Sequence, residues 1–502
     1  MNKTIMFKDL QELECLAAQR KEEIRSSADA VNVGGNTYYV SAEGCDEYDG
    51  RSPERAWKTL AKVSSAKLCE GDGVLFRRGD VFRGGVIAQA GVTYAAYGEG
   101  EKPRLYGGDR DLADHTLWAE HDPKNHIWRL TMPILDVGTL VFDEGGTWSR
   151  KLIPSYIGGR FVCRDAEERP FEMSREMTDD LDLYWHFDTL MTTRPSKGAD
   201  FPVPQVDENS YGTLYLRCDR GNPGEVFRQI EALPRRCMFK IGDRANIHID
   251  NLCIKYVGHH AISAGGHVIG LRVTHCEIGW IGGTIQHYFG TDPNYPQGGR
   301  GTVTRFGNGV EIYGGCENYE VSDCYIYQCY DAGITHQITT GGRTVTMCGI
   351  RYLNNLVERC VYSIEYFLDM NGGDTNSCMQ DIVMRGNLLR LAGYGWGQQR
   401  HNIDTPAHIK GWSYVNRARD YHIHDNIFDR SAYRMLHLVA EVNESCPEMR
   451  KNIYVQHRGG MLGQYGGNAD GEPPILFFDE NAADSIRRIF KDEDAVLYFL
   501  EE

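Results

Sequence analysis

The chain has 502 residues, 41% hydrophobic and 25% charged, enough apolar material for a large core and too little charge for a disordered polymer. Gly is abundant at 56, Pro sparse at 17 and aromatics reach 11%, a profile of strands and turns that excludes a helical bundle. Lys plus Arg is 54 against 70 for Asp plus Glu, and the resulting charge of −16 argues against nucleic acid and anionic membranes as partners.

No run approaches the apolar residues that a membrane helix needs, so no membrane partner is expected. The opening residues Met1 to Leu10 lack the apolar segment of a secretory leader. The 15 cysteines are odd in number and scattered without a CxxC pair, several in strand-like runs at Cys253, Cys276, Cys324, Cys348 and Cys360. They read as reduced core thiols of a cytoplasmic protein, with no metal and no cofactor expected.

Residues 7–27 place Phe7, Leu10, Leu13, Leu16, Ala17 and Ile24 at helical spacing, which predicts one amphipathic helix covering an end or a flank of a β-domain. From Asn36 strands and turns take over: Thr37-Tyr38-Tyr39-Val40-Ser41, a Gly/Asp-rich turn through Ser52-Pro53, then Ala56-Trp57-Lys58-Thr59-Leu60. Next come Gly71 to Asp80, with Arg78-Gly79-Asp80, and Tyr97-Gly98-Glu99-Gly100-Glu101-Lys102-Pro103. This succession resembles the opening of right-handed parallel β-helix proteins of the pectate-lyase-like superfamily, including bacterial β-helical glycoside hydrolases. The resemblance covers about 70 residues. It implies an all-β solenoid fold but no single reaction, since hydrolases, lyases, epimerases and phage adhesins share that fold.

Residues 105–240 interrupt the pattern with Trp118, Trp128, Trp148 and Trp185 and are expected to form an inserted β-rich subdomain. From about Ile247 to Gln456 an Asn or Cys recurs at a turn: Asn251, Cys276, Cys324, Asn355, Asn387 and Asn426. Steps of about 25 to 48 residues predict solenoid coils with an internal Asn/Cys ladder, the excess length measuring the projecting loops. The longest loop, Thr284 to Asn308, is followed by Gly372–Ser377 and Gln398–Trp412. The expected organisation is a helical cap over 1–35, first coils over 36–104, the insertion over 105–240, main coils over 241–460 and a tail over 461–502.

The second strand of each coil aligns at Ala261-Ile262-Ser263, Gly309-Val310-Glu311, Gly333-Ile334-Thr335, Ser363-Ile364-Glu365 and Gly395-Trp396-Gly397. Strand alternation sends the middle residue inward and the third outward, so Ser263, Glu311, Thr335, Glu365 and Gly397 form one outward row. Asp331 lies four residues before Thr335, and His259 takes the same place on an earlier coil. Glu311, Asp331 and Glu365 are therefore the candidate catalytic groups. His259, His336, Gln337, Tyr288, Trp396 and Arg400 are the candidate substrate-binding groups, with Phe289, Tyr295 and His401 in the same loops. His260 reads as structural, and Asp369 and Asp374 as turn residues.

Paired carboxylates across one bond are what glycoside hydrolysis requires: one protonates the leaving oxygen and the other activates water or attacks carbon. The reading is a glycoside hydrolase acting on short oligosaccharides or glycosides, and β-helical β-xylosidases and α-L-fucosidases resemble this layout. A polysaccharide lyase or uronate epimerase is the alternative, disfavoured by few basic residues on the candidate face. A non-catalytic carbohydrate-binding solenoid is the third. Sugar identity, linkage and oligomeric state are not legible.

Overall fold

The structure is a computed structural model and describes residues 10–28, 31–187, 193–194, 202–288, 303–400, 406–412 and 417–500. Phe289, Tyr295, His401 and most of the Thr284 to Asn308 loop lie outside these residues.

Successive coils pair almost entirely in parallel, which is the defining register of a β-solenoid. One sheet of 10 strands runs Val81–Arg83, Arg104–Tyr106, Cys253–Val257, Glu277–Ile281, Tyr325–Cys329, Leu356–Glu358, Leu388–Ala392, Ile427–Ser431, Ile453–His457 and Val496–Leu500. A second sheet of 19 strands carries the other faces, among them Ile262–Ile269, Val310–Ser322, Ala332–Thr339, Tyr362–Asp369, Ala407–Gly411 and Arg434–Ala440. The chain thus folds as the parallel β-helix that its sequence predicts. Ile262, Val310, Ile334, Ile364, Ile409 and Leu436 follow one another in register inside it, all buried in the main core. Such stacking gives β-branched residues a matching neighbour above and below.

The corner ladder is real and hydrogen-bonded throughout. Cys324 N donates to Asn355 Oδ1 (3.0 Å), and Asn355 N to Asn387 Oδ1 (3.0 Å). Asn387 N donates to Asn426 Oδ1 (3.0 Å), Asn426 N to Asn452 Oδ1 (3.0 Å), and Asn452 Nδ2 to Asp492 (2.8 Å). Each side chain satisfies a backbone N–H that the turn would otherwise leave unpaired in the core. Asn251 stands one residue off this row, because Cys253 pairs with Glu277 and so aligns Leu252 with Cys276. Truncating Asn387 to Ala removes bonds to Asn355, Asn426 and the Tyr352 carbonyl at once. It is expected to cost at least about 2 kcal/mol, read as a lowered urea midpoint; a change below about 0.5 kcal/mol would show the ladder to be ornamental.

The first helix, Leu10–Arg25, lies along the flank of the 10-stranded sheet. Leu13, Ala17 and Ile24 cover Tyr325, Leu356, Leu388, Ile427 and Ile453 across successive coils. Ion pairs Glu14–Arg390, Lys21–Glu358 and Arg25–Glu277 fix its direction.

Between the early coils and the main solenoid the chain builds other sheets. Trp118–Asp122, Ile127–Leu130, Tyr211–Arg217, Asp182–Phe187 and Arg150–Leu152 form one, antiparallel apart from its last pair. Val137–Phe142 pairs with Thr147–Trp148 and Ile230–Pro234 in another. Their shared core extends to Ile285, Tyr288 and Val303, on the hairpin Thr284–Tyr288 with Val303–Phe306 that projects from the solenoid. At this seam a Cβ on Gly138 would stand 1.9 Å from the Gly282 carbonyl oxygen, so only glycine lets the backbones meet.

Candidate active site

Strand pairing builds the site as a row. Ser263 pairs with Glu311; the Val310–Ile334 register sets Glu311 beside Thr335; Thr335 pairs with Glu365 and Glu365 with Lys410. Glu311 and Glu365 are therefore two strand spacings apart, about 10 Å at Cα. A parallel row two residues on contains Tyr313, Gln337 and Phe367. Asp331 occupies the corner before Ala332–Thr339, its carbonyl accepting from Val361 N (3.1 Å) and Tyr362 N (3.2 Å).

The three carboxylates share one pocket of about 240 Å³ with Arg400, Trp412 and His260. Tyr313, Gln337 and Phe367 form one wall, and Gln286 and Phe306, from the projecting hairpin, another. Tyr313 and Phe367 meet edge to face with centroids 6.3 Å apart, presenting apolar ring area beside polar groups.

Each carboxylate has a different environment. Glu365 is buried and accepts from Trp412 Nε1 (2.5 Å). Burial, reinforced by the charge of Asp331, pushes its pKa up to about 8, against the opposing pull of the Trp412 bond, Arg400 and Lys410. Asp331 forms an ion pair with Arg400 Nη1 (2.5 Å). Burial opposes the Arg400 charge, yet Asp331, Tyr362 and Tyr330 outweigh it and raise its pKa. Glu311 meets His260 Nε2 at 2.8 Å and Ser263 Oγ at 3.4 Å. His260 Nδ1 accepts from Asn308 N (3.0 Å), so Nε2 carries the imidazole proton and donates it to Glu311. The site thus contains one carboxyl whose pKa is pushed up to about 8 and a second that accepts hydrogen bonds from His260 and Ser263.

Several sequence-predicted groups stand elsewhere. His259 is turned away: its Nδ1 accepts from His260 N (2.9 Å) and meets Cys237 Sγ at 3.2 Å. Burial and the neighbouring His260 push it well below its ordinary pKa. His260, read as structural, is the histidine that touches a carboxylate. His336 follows Thr335 and alternation drives it into the solenoid, where it stacks on Tyr366 and bonds Tyr352 Oη (2.9 Å). Burial lowers its pKa to about 3. Tyr288 is buried at the seam against Tyr156 and Phe161 and does not line the pocket.

Trp396 and Gly397 do not belong to the outward row. They form a short 3₁₀ turn, and the strand that continues the row is Ala407–Gly411, placing Lys410 where Gly397 was expected. Trp396 Nε1 donates to the Gln328 carbonyl (2.7 Å) within a buried cluster of Tyr256, Trp280 and Tyr330. That anchor carries Arg400 to Asp331. Gln337 and Arg400 do line the pocket. The sequence reading missed Tyr313, Phe367, Trp412 and Lys410. For Tyr313 and Phe367 the signal was available, since residues two beyond Glu311 and Glu365 share their face.

No protein-family model matches the chain, and no curated protein matches it. Solved structures do. XylC in complex with xylose is 11% identical, with 92% of this chain and 82% of that one covered and a TM-score of 0.39. A glycoside hydrolase is 10% identical over 84% and 88%, TM-score 0.43. A polygalacturonase from Erwinia carotovora ssp. carotovora is 11% identical over 86% and 94%, TM-score 0.33. The parallel β-helix stands on the strand pairing itself. Among the described residues no helix is long and apolar enough to cross a membrane.

Proposed function

We propose that the protein is a glycoside hydrolase that cleaves short oligosaccharides or glycosides in the cytoplasm. One observation carries this: Glu311, Asp331 and Glu365 converge on a single pocket, where burial and the Asp331 charge raise the pKa of Glu365 and His260 bonds Glu311. Glu365 is the general acid, Glu311 the base that activates water, and Asp331, held in place by Arg400, the charge that together with burial sustains the Glu365 proton. The aromatic wall of Tyr313, Phe367 and Trp412 gives a sugar ring apolar faces to lie against.

Lys410 and Arg400 favour examining a second reading. The pocket neighbourhood is more basic than the sequence implied, and a lyase uses a basic side chain to remove a proton beside a uronate. Arg400 is bonded to Asp331, and Lys410 Nζ lies 4.3 Å from the Trp412 ring centroid. Incubation with panels of neutral and uronate glycosides separates the two. Hydrolysis yields new reducing ends without ultraviolet absorbance; a product absorbing near the unsaturated uronate band would overturn the hydrolase.

A further inference from the structure

A second cavity, of about 260 Å³, lies on the early-coil side of the carboxylate pocket. Val86 and Ile87 line it from the first coils, Leu135 and Tyr211 from the inserted sheets, and Cys237 and Lys240 from the return into the solenoid. Strand register connects it to the carboxylates. Ile87 pairs with Lys240, Lys240 with Ser263 and Ser263 with Glu311, so the cavity continues the outward row of Glu311, Thr335 and Glu365. Ile87 stands three strand spacings, about 14 Å at Cα, from Glu311. The two cavities share a wall: Arg235 lines one and Phe306 the other, with the guanidinium 4.9 Å from the ring centroid. Between them the floor is open. Gly265 pairs with Tyr313, is exposed, and a Cβ there would meet nothing within 4 Å.

This track exposes apolar side chains that a folded chain ordinarily covers. Ile87 is 49% exposed, Tyr211 45% and Tyr313 43%, three of the five most exposed large apolar side chains among the described residues. Their gathering along one cleft, rather than scattered singly, marks a surface that a ligand covers. The charges in the cavity are matched. Lys240 is paired with Glu208, and Arg236 with Asp109 (2.6 Å). Arg235 Nη1 donates to the Ile285 carbonyl, and Asp136, Asp207 and Glu208 favour its charge. Such a lining offers donors and acceptors to hydroxyl groups and no unmatched cation to a carboxylate.

A neutral sugar chain has this chemistry: apolar C–H faces that lie on aromatic and aliphatic side chains, and hydroxyls that bond paired polar groups. One strand spacing is comparable with the length of one sugar unit in an extended chain, so the row from Glu311 to Ile87 accommodates about three units. We infer that Tyr211, Ile87 and Lys240 form a remote subsite for a neutral sugar unit, so that the enzyme takes oligosaccharides extended over the early coils in preference to shorter glycosides. This rests on the hydrolase reading for the bond that is cleaved, though not for the binding.

The test is calorimetry on the full-length Glu365→Gln protein, so that turnover does not consume the probe. The probes are xylo-, cello-, manno- and galacto-oligosaccharides of two and of four units, with digalacturonate and tetragalacturonate as the charged pair. In at least one neutral series the tetrasaccharide should bind about tenfold or more tightly than the disaccharide, and adding Tyr211→Ala should bring that ratio below about threefold. Tyr211 and Ile87 are both about half exposed, so their replacement should spare the fold; Ile87→Gln decides the matter should circular dichroism show Tyr211→Ala unfolded. The inference is overturned if no neutral series gains affinity with length, or if the galacturonate pair gains as much as the best neutral one. It is equally overturned if the ratio survives Tyr211→Ala in a folded protein. A gain with length that is lost with Tyr211, in a parent protein that cleaves none of these sugars, would leave the subsite standing and remove the hydrolase. Cleavage by the parent with no gain in affinity from two units to four would do the reverse.

Discussion

Replacing Glu365 by Gln should lower glycoside turnover by at least about a hundredfold while making the protein more stable above pH 7. The two effects share one cause. Burial and the Asp331 charge hold the Glu365 carboxyl protonated up to about pH 8, far above its ordinary 4.5. As the acid that donates to the leaving oxygen, Glu365 works only while protonated, so turnover should fall as pH rises through about 8. The stability sign is set by linkage. Between 4.5 and 8 the folded state binds the proton that the unfolded state has lost, so stability falls as pH rises through this window. Gln keeps the shape and the acceptor for Trp412 without the charge, which removes that loss. Thermal unfolding at pH 6 and pH 8.5 reads it directly. A variant that is inactive yet no more stable than the parent at pH 8.5 would show that Glu365 carries no such burden.

The residues that could be placed from sequence alone are those governed by strict periodicity. The Asn ladder and the row Ser263, Glu311, Thr335 and Glu365 follow from coil repetition and strand alternation, and the structure has both. Errors begin where a loop length is hidden. Gly395-Trp396-Gly397 copies the pattern of Gly309-Val310-Glu311, but Leu388–Ala392 is followed by an excursion before Ala407–Gly411. Periodicity cannot tell a strand from a turn that also sets an apolar residue after a glycine, and Lys410 was lost with it. His259 and His260 show a different limit. They stand at a corner, where alternation lapses, and only the Asn308 backbone bond fixes which imidazole faces Glu311. Arg400 and Trp412 reach the pocket from loops, whose paths no repeat dictates.

Glu311→Gln should also lower turnover by at least about a hundredfold, and the stereochemistry of the parent reaction should explain why. Glu311 and Glu365 stand two strand spacings apart, with Thr335 between them. Two strand spacings, about 10 Å at Cα, leave room for a water between base and sugar, which favours inversion. His260 strengthens the assignment: its Nε2–H holds one Glu311 oxygen at 2.8 Å and leaves the other to take a proton from water. His260→Ala should therefore lower turnover less than Glu311→Gln, by about tenfold, because the carboxylate remains but loses its orientation. Proton NMR of the first product, taken before mutarotation, should show the anomer opposite to that of the substrate. Retention would transfer the second role to Asp331, the carboxylate one coil nearer to Glu365. In that case Asp331→Asn, not Glu311→Gln, would be the variant that stops the reaction.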